Sequence, residues 1–99
     1  MSLQSVTEEL QRRIGSGGGF GRSVKFDFGT DGLVRIDDTI SPAVVDNIDG
    51  LSDCTIHLSL HDFKEIANGK QTPTMSFMMG KIKINGDMSV ALQLGSILG

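Results

Sequence analysis

The sequence predicts an α+β fold in which a five-stranded, mostly antiparallel sheet is covered on one face by helices. Three observations support this prediction. Several short segments alternate apolar and polar residues, which is typical of strands with one buried and one solvated face. Apolar residues at helical spacing stand before and after these segments. The chain has 99 residues, which suits one core, so we expect a single domain over residues 1–99.

The N-terminal segment has the periodicity of an amphipathic helix. Its apolar residues recur at steps of three and four and are Leu3, Val6, Leu10 and Ile14. They share one face of a helix predicted over residues 3–14. A glycine-rich run over residues 15–21 follows, and it predicts the end of the helix and a flexible joint.

The alternating segments predict the strands. Four clear strands are expected at residues 23–28, 34–37, 54–60 and 81–85. A weaker fifth strand is predicted over 43–47, between Pro42 and a turn at Asp49-Gly50. The segment 29–32 has the length of a hairpin connection between the first two strands. Because every strand has a single apolar face, the pattern favours an antiparallel sheet.

The second half of the chain carries local signals for three more helices. The run Ser59-Leu-His-Asp62 suits a capping box, and it opens a helix predicted to reach residue 68. Thr72-Pro73 caps and starts a short helix that closes at Gly80. Asp87 is predicted to cap the last helix.

The last quarter of the chain has more apolar surface than one core-facing stripe explains. Four of the five methionines lie within residues 75–88, and residues 88–99 contain no charged side chain. A terminal helix on a small domain ordinarily keeps a polar face for water. Methionine is also common at surfaces that accept varied apolar ligands. This segment therefore predicts either a packed core or the lining of a hydrophobic tunnel, and the residues alone leave the two interpretations balanced.

The polar residues do not form a recognisable catalytic or metal site. His57 and His61 have no cysteine or paired carboxylate at metal-ligand spacing. The acidic run 46–53 has Ile48 where a calcium loop needs an oxygen ligand. Cys54 falls on an apolar strand face and is expected to be a small buried hydrophobe. We therefore expect no enzymatic activity, no catalytic residue, no metal and no cofactor.

The composition of the chain limits the kinds of binding partner and the cellular compartment that we expect. The net charge is −3 with interspersed charges, and the chain has no Trp and no Tyr, so nucleic-acid binding is not expected. A single cysteine excludes an internal disulfide and fits a reducing compartment. No apolar run approaches the roughly 20 residues of a membrane span, and the N-terminus lacks a secretory signal. We expect a cytoplasmic protein.

Two sequence blocks carry a resemblance to a known family. They are Asp53-Cys-Thr-Ile and Gly80-Lys-Ile-Lys-Ile-Asn-Gly-Asp-Met-Ser-Val-Ala-Leu-Gln-Leu, and the match is dense over residues 53–94. This pattern resembles the sterol carrier protein (nonspecific lipid-transfer) family in its compact single-domain form. The resemblance implies a five-stranded sheet, helices on one face, and between them a hydrophobic tunnel for fatty acids, acyl-CoA, sterols or phospholipids.

The resemblance also implies which residues contact the lipid. Carried over by position, the tunnel would be lined by Phe63, Ile66, Met75, Phe77, Met78, Met79, Ile82, Ile84, Met88, Ala91, Leu92 and Leu98. Members of the family commonly have Gln at the position of Met79. Lys70, Lys81 and Lys83 either meet an anionic head group at the tunnel mouth or are ordinary solvated lysines, and the general exposure of lysine favours the second interpretation.

The leading hypothesis is a module that binds and carries lipids non-covalently and with low selectivity. The alternative is an interaction or accessory domain whose apolar C-terminal helix packs on a partner or presents lipid to a separate enzyme. The expected partner is a lipid or fatty-acyl ligand, with at most transient membrane contact. The expected assembly is a monomer or a weak homodimer.

Overall fold

Five strands form one sheet with the order β3-β2-β1-β4-β5 in a computed structural model of the chain. The structure describes residues 2–15, 21–40 and 42–98, and side chains up to residue 93. The elements are α1 (Leu3–Gly15), β1 (Ser23–Asp27), β2 (Leu33–Asp37), β3 (Val44–Asp46), β4 (Cys54–His57), α2 (Leu60–Ala67), α3 (Pro73–Met78), β5 (Lys83–Gly86) and α4 (Met88–Leu98). The glycine run predicted as a joint lies mostly outside the described residues.

The prediction of a mostly antiparallel α+β sheet is confirmed. Neighbouring strands pair antiparallel except β1 and β4, which are parallel. The register places Phe26 of β1 opposite Ile56 of β4, and Ile56 opposite Ile84 of β5. Apolar side chains from three strands therefore form one row across the inner face of the sheet.

Local capping signals fix the beginnings of three helices, as the sequence predicts. The Ser59 hydroxyl accepts the Asp62 N–H at 2.9 Å, and the Thr72 hydroxyl accepts the Met75 N–H at 3.2 Å. An Asp87 carboxylate oxygen accepts the Ser89 N–H at 2.9 Å. Each bond satisfies a helix N–H group that has no partner within its own helix.

Two of the predicted strands differ from the observed strands by more than one residue at an end, and the other three differ by one residue at one or both ends. The strand expected over 54–60 ends at His57 because Ser59 caps α2, which begins at Leu60. The strand expected over 81–85 begins at Lys83 instead. The N–H of Lys81 donates to the Ser76 carbonyl at 2.9 Å, so the backbone of Lys81 is bonded to α3, which ends at Met78.

The core lies between the inner face of the sheet and the helices. Val6, Leu10 and Ile14 of α1 are buried and pack near β2 and β3, whereas α4 packs near β4, β1 and β5. Phe63 of α2 meets Phe26 edge to face, with ring centroids 5.3 Å apart. The two halves of the sheet are thus covered by different helices, and the half under α2, α3 and α4 is less completely filled.

Candidate ligand-binding cavity

An apolar cavity of about 410 Å³ lies between β1, β4 and β5 on one side and α2, α3 and α4 on the other. It is lined by Phe26, Ile56, Leu58, Ile66, Pro73, Thr74, Phe77, Ile82, Ile84, Met88, Ala91 and Leu92. In the part of the chain that the structure describes, Thr74 is the one lining residue with a polar side chain. The cavity can exclude water around an apolar molecule but offers few groups that would fix a polar head.

The strands form the floor of the cavity. Phe26, Ile56 and Ile84 are neighbours across three strands, because the register aligns them on the inner face. Leu58 extends this floor just beyond β4, where its N–H donates to the Asp27 carbonyl at 3.2 Å. Hydrogen bonding therefore holds the floor in a fixed position.

The helices form the walls and the rim. Met88, Ala91 and Leu92 of α4 stand at steps of three and four and share one face of the helix. Phe77 of α3 and Leu92 line the cavity and are nevertheless exposed, Leu92 to 75%. The cavity therefore opens to solvent between α3 and α4.

Polar interactions anchor the N-terminus of α4 to the sheet. The Arg22 guanidinium lies 2.5 Å from an Asp87 carboxylate oxygen and 3.4 Å from one of Asp53. Asp53 also accepts the Ser23 N–H at 2.9 Å, and its own carbonyl accepts the Asp87 N–H at 2.9 Å. These bonds fix the start of the helix that carries Met88 into the cavity wall.

The hydrogen bonds and ion pairs of this network shift the pKa values of the residues that form it. Bonds from Ser89 and then from Arg22 lower the pKa of Asp87 below its usual range. Bonds from Ser23 and then from Arg22 lower the pKa of Asp53. The bond to Asp87 raises the pKa of Arg22 further. All three groups are therefore charged at neutral pH.

The structure brings seven of the twelve sequence-predicted lipid contacts to the cavity, namely Ile66, Phe77, Ile82, Ile84, Met88, Ala91 and Leu92. Phe63 does not line it, because its ring is buried in the aromatic cluster with Phe26 and Phe28. The side chain of Leu98 lies outside the described residues.

The three methionines of the α3 segment also lie outside the cavity lining. Met75, Met78 and Met79 are exposed, because α3 turns Phe77 and its first turn towards the cavity. Ser76 is buried on the inner side and donates its hydroxyl to Gln71 at 2.8 Å. Met79 therefore stands at the surface.

Sequence reasoning missed five lining residues, which are Phe26, Ile56, Leu58, Pro73 and Thr74. The strand residues were recognisable as inward-facing from their alternation, but that pattern is the same for a filled core. Pro73 and Thr74 gave a helix-start signal only, with no indication that the first turn would meet a cavity.

The other candidate groups lie away from the cavity. His57 is on the polar face of the sheet, where its ring lies 3.0 Å from the Asn85 amide. Cys54 is fully buried, and burial raises the pKa of its thiol, so it is a poor nucleophile. Across residues 2–15, 21–40 and 42–98, no group of three His, Cys, Asp or Glu residues could hold a metal ion. None of the helices described there is long and apolar enough to span a bilayer.

Comparison with known proteins finds one family along most of the chain. The model of the SCP-2 sterol transfer family matches residues 16–99. Hydroxysteroid dehydrogenase-like protein 2 from Xenopus tropicalis is 48% identical over 48 residues, which cover 48% of this chain and 12% of that protein. Sterol carrier protein 2 from Homo sapiens is 38% identical over 55 residues, covering 56% of this chain and 10% of that protein.

The matched relatives are much longer than this chain, and the match covers about a tenth of their length. Among solved structures, palmitated SCP2L2 from Aedes aegypti superposes with a TM-score of 0.74 at 20% identity. That alignment covers 99% of this chain and 95% of the other. At this level of identity the similarity shows a common fold.

Proposed function

The chain belongs to the SCP-2 sterol transfer family, whose model matches residues 16–99, and from this premise we propose that its cavity binds and carries lipid without covalent chemistry. The observation that supports this most is the open apolar cavity of about 410 Å³. Burial of an acyl chain there would be favourable by about 25 cal/mol per Å² of apolar surface removed from water. No reacting group of the protein is needed for this binding.

The proposed ligand is a molecule with one apolar chain, such as a fatty acid or an acyl-CoA. The cavity volume of about 410 Å³ lies near the lower end of the roughly 300–1,000 Å³ of typical ligand pockets, which favours one chain over two. The related Aedes aegypti protein has been solved in palmitated form, which agrees with this class. Because Thr74 supplies the one polar lining side chain among the described residues, selection of the head group is expected to be weak.

The twelve lining residues are the proposed contacts. Phe26, Ile56 and Ile84 would support the chain from the sheet side, while Phe77 and Leu92 would cover it at the opening. Phe63 would act indirectly by holding Phe26 in position. Direct lipid contact is therefore not proposed for the exposed methionines of α3.

A matched pair of substitutions tests this assignment. Leu92 and Met78 are exposed to 75% and 78%, but Leu92 lines the cavity and Met78 does not. We expect Leu92→Ser to weaken binding of pyrene-dodecanoic acid by about tenfold, since a bound acyl chain would bury the Leu92 side chain and this burial is worth about 1.5 kcal/mol. Met78→Ser should leave the dissociation constant unchanged. Equal effects of the two substitutions in a fluorescence titration would contradict the assignment.

Direct identification of a bound lipid is the second test. Purified protein is extracted with organic solvent, and the extract is analysed by mass spectrometry beside an extract of Leu92→Ser. We expect fatty-acyl species at higher occupancy in the unsubstituted protein. An absence of lipid from both extracts, together with no pyrene-dodecanoic acid binding, would refute the proposal.

An accessory role is the second candidate. It is favoured by the relative from Xenopus tropicalis, a hydroxysteroid dehydrogenase-like protein in which the similar segment is a small part. In this role the bound lipid would be presented to a separate enzyme. Concentration-dependent dimerisation without fatty-acid binding would instead favour an interaction domain, and a monomer or weak homodimer stays our prediction.

A further inference from the structure

Most of the basic side chains that have no acidic partner among the described residues lie in one segment of the sequence. All four arginines and Lys25 form ion pairs with carboxylates. Lys64, Lys70, Lys81 and Lys83 are exposed and form no ion pair within the described residues. Residues 66–86 contain three lysines and no acidic residue, so this segment carries +3 although the whole chain carries −3.

Most of the large apolar side chains that are exposed among the described residues lie in or just after this segment, within residues 75–92. They are Met75, Phe77, Met78, Met79, Met88 and Leu92. Met75, Met78 and Met79 stand at steps of three and four, so they share the outer face of α3 and its C-terminal turn. Phe77 and Leu92 belong to the opening of the cavity. Several large apolar side chains exposed on one helix face and at a cavity opening indicate an interaction site, unlike single exposed residues.

Two lysines flank this outer face. Lys70 lies in the short connection before α3, and the backbone of Lys81 is hydrogen-bonded to Ser76 of α3 at 2.9 Å. We call Met75, Met78, Met79, Lys70 and Lys81 the α3 patch. Resting on the proposed function, we propose that the α3 patch docks the open side of the cavity onto an anionic lipid surface.

The charges favour a lipid surface over the other occupants of an apolar face. A symmetric dimer would place the same patch of both copies together, and the unpaired lysines would then repel one another. A protein partner is ordinarily held by Trp, Tyr or Arg anchors, and residues 66–86 contain none of these. An anionic bilayer attracts each lysine and accepts flexible apolar side chains at its interface.

Docking in this orientation has a consequence for lipid exchange. Phe77 and Leu92 at the cavity opening would face the bilayer together with the methionines of the α3 patch. A fatty acid could then pass between the cavity and the membrane without crossing bulk water. The α3 patch would therefore set the rate of transfer, whereas the cavity lining would set the affinity for lipid.

Vesicle flotation tests the apolar part of the patch. The vesicles contain either phosphatidylcholine alone or equal parts of phosphatidylcholine and phosphatidylserine. We expect the protein to float with the anionic vesicles, and the triple variant Met75→Ser, Met78→Ser and Met79→Ser to bind them about tenfold or more weakly. Ile48→Ser with Leu51→Ser is the control, since these exposed apolar residues lie in the β3–β4 connection. It should bind as the unsubstituted protein does.

Charge variants test the electrostatic part. Lys70→Gln with Lys81→Gln should weaken binding to anionic vesicles by about 25-fold, or about fivefold for each lysine near the surface. High salt should weaken binding of the unsubstituted protein in the same direction. Arg12→Gln removes one exposed positive charge from α1 and is the control for a charge lost outside the α3 patch, expected to change binding by less than about twofold rather than by the roughly fivefold predicted for each lysine.

Each result bears on the proposal in one direction. Loss of vesicle binding in the patch variants but not in the controls supports it. No vesicle binding, equal loss in the controls, or dimerisation that the patch variants abolish would overturn it. Pyrene-dodecanoic acid binding is measured in the same proteins, and the methionine variant should retain it because those residues lie outside the cavity. Retained fatty-acid binding without vesicle binding would overturn the docking proposal alone, and the reverse result would overturn the proposed function.

Discussion

Gly86 ends β5 just before α4, so a single methyl group added there should disturb two elements that line the cavity. Its φ is 100°, a value that side chains other than hydrogen rarely permit. A Cβ at this position would lie 2.5 Å from the Asp53 carbonyl oxygen and 3.2 Å from the Cys54 Cα. That oxygen accepts the Asp87 N–H at 2.9 Å, so it cannot retreat without losing a bond at the start of α4.

The expected cost of Gly86→Ala follows from these contacts. Strain at a disfavoured φ costs about 1–3 kcal/mol, and loss of one hydrogen bond costs about 1 kcal/mol. We therefore expect the free energy of unfolding to fall by about 2–4 kcal/mol, which lowers Tm by roughly 10–30 °C in a domain of this size. Fatty-acid binding should weaken as well, because β5 and α4 both line the cavity.

Gly80→Ala is the matched control, because Gly80 also has a positive φ, 77°, but among the described residues no atom beyond its two chain neighbours lies within 4 Å of its ideal Cβ. It should therefore show the backbone strain alone, about 1–2 kcal/mol. Both variants are unfolded in urea and by heat, with circular dichroism as the signal. If Gly86→Ala unfolds at the same urea concentration as Gly80→Ala, the close approach of β5 to Asp53 has no energetic importance and the reasoning is refuted.

Three further predictions use groups near the cavity. The pKa values of Asp53 and Asp87 are lowered in the folded protein, so their stabilisation is complete above about pH 4 and is lost as pH falls through the lowered values. Asp87→Asn should reduce the loss of unfolding free energy at low pH, measured by urea titrations at several pH values. An unchanged loss would contradict this prediction. The buried Cys54 thiol should react with an aromatic disulfide reagent far more slowly in the folded protein than in the unfolded chain. Bound fatty acid should slow this reaction further. Labelling at the rate of the unfolded chain would be inconsistent with burial of Cys54. Phe63→Ala should lower the free energy of unfolding by about 3–5 kcal/mol because Phe63 packs edge to face on two rings, and a loss below about 1 kcal/mol in a urea titration would disprove that packing.

The elements of this fold were predictable where the determining interaction is local. Ser59, Thr72 and Asp87 each cap a helix through a bond to a residue two or three positions ahead, so the sequence contains the whole signal. The short strand Val44–Asp46 was predictable from its flanking turn residues, although only as the weakest of five. The family was also predictable from the sequence, through the pattern of residues 53–94.

The sheet order and the cavity depend on distant contacts and were less accessible. Nothing local to Val24 or Cys54 indicates that they pair in parallel. Alternation shows that Phe26 and Ile56 face inward but does not distinguish a filled interior from an empty one. With only six residues, α3 gave too little periodicity to show that Phe77 faces the cavity while Met78 faces solvent.

An open cavity agrees with the energetics of a domain this small. A sealed and dry space of about 410 Å³ would cost about 10 kcal/mol, at about 24 cal/mol per Å³. Most domains have only about 5–15 kcal/mol of total stability, so a sealed empty cavity would consume nearly all of it. The opening beside Phe77 and Leu92 removes this difficulty, since solvent or an apolar chain can occupy the space. Because α1 fills the β2–β3 half of the sheet with Val6, Leu10 and Ile14, the fold can leave its other half available to a ligand.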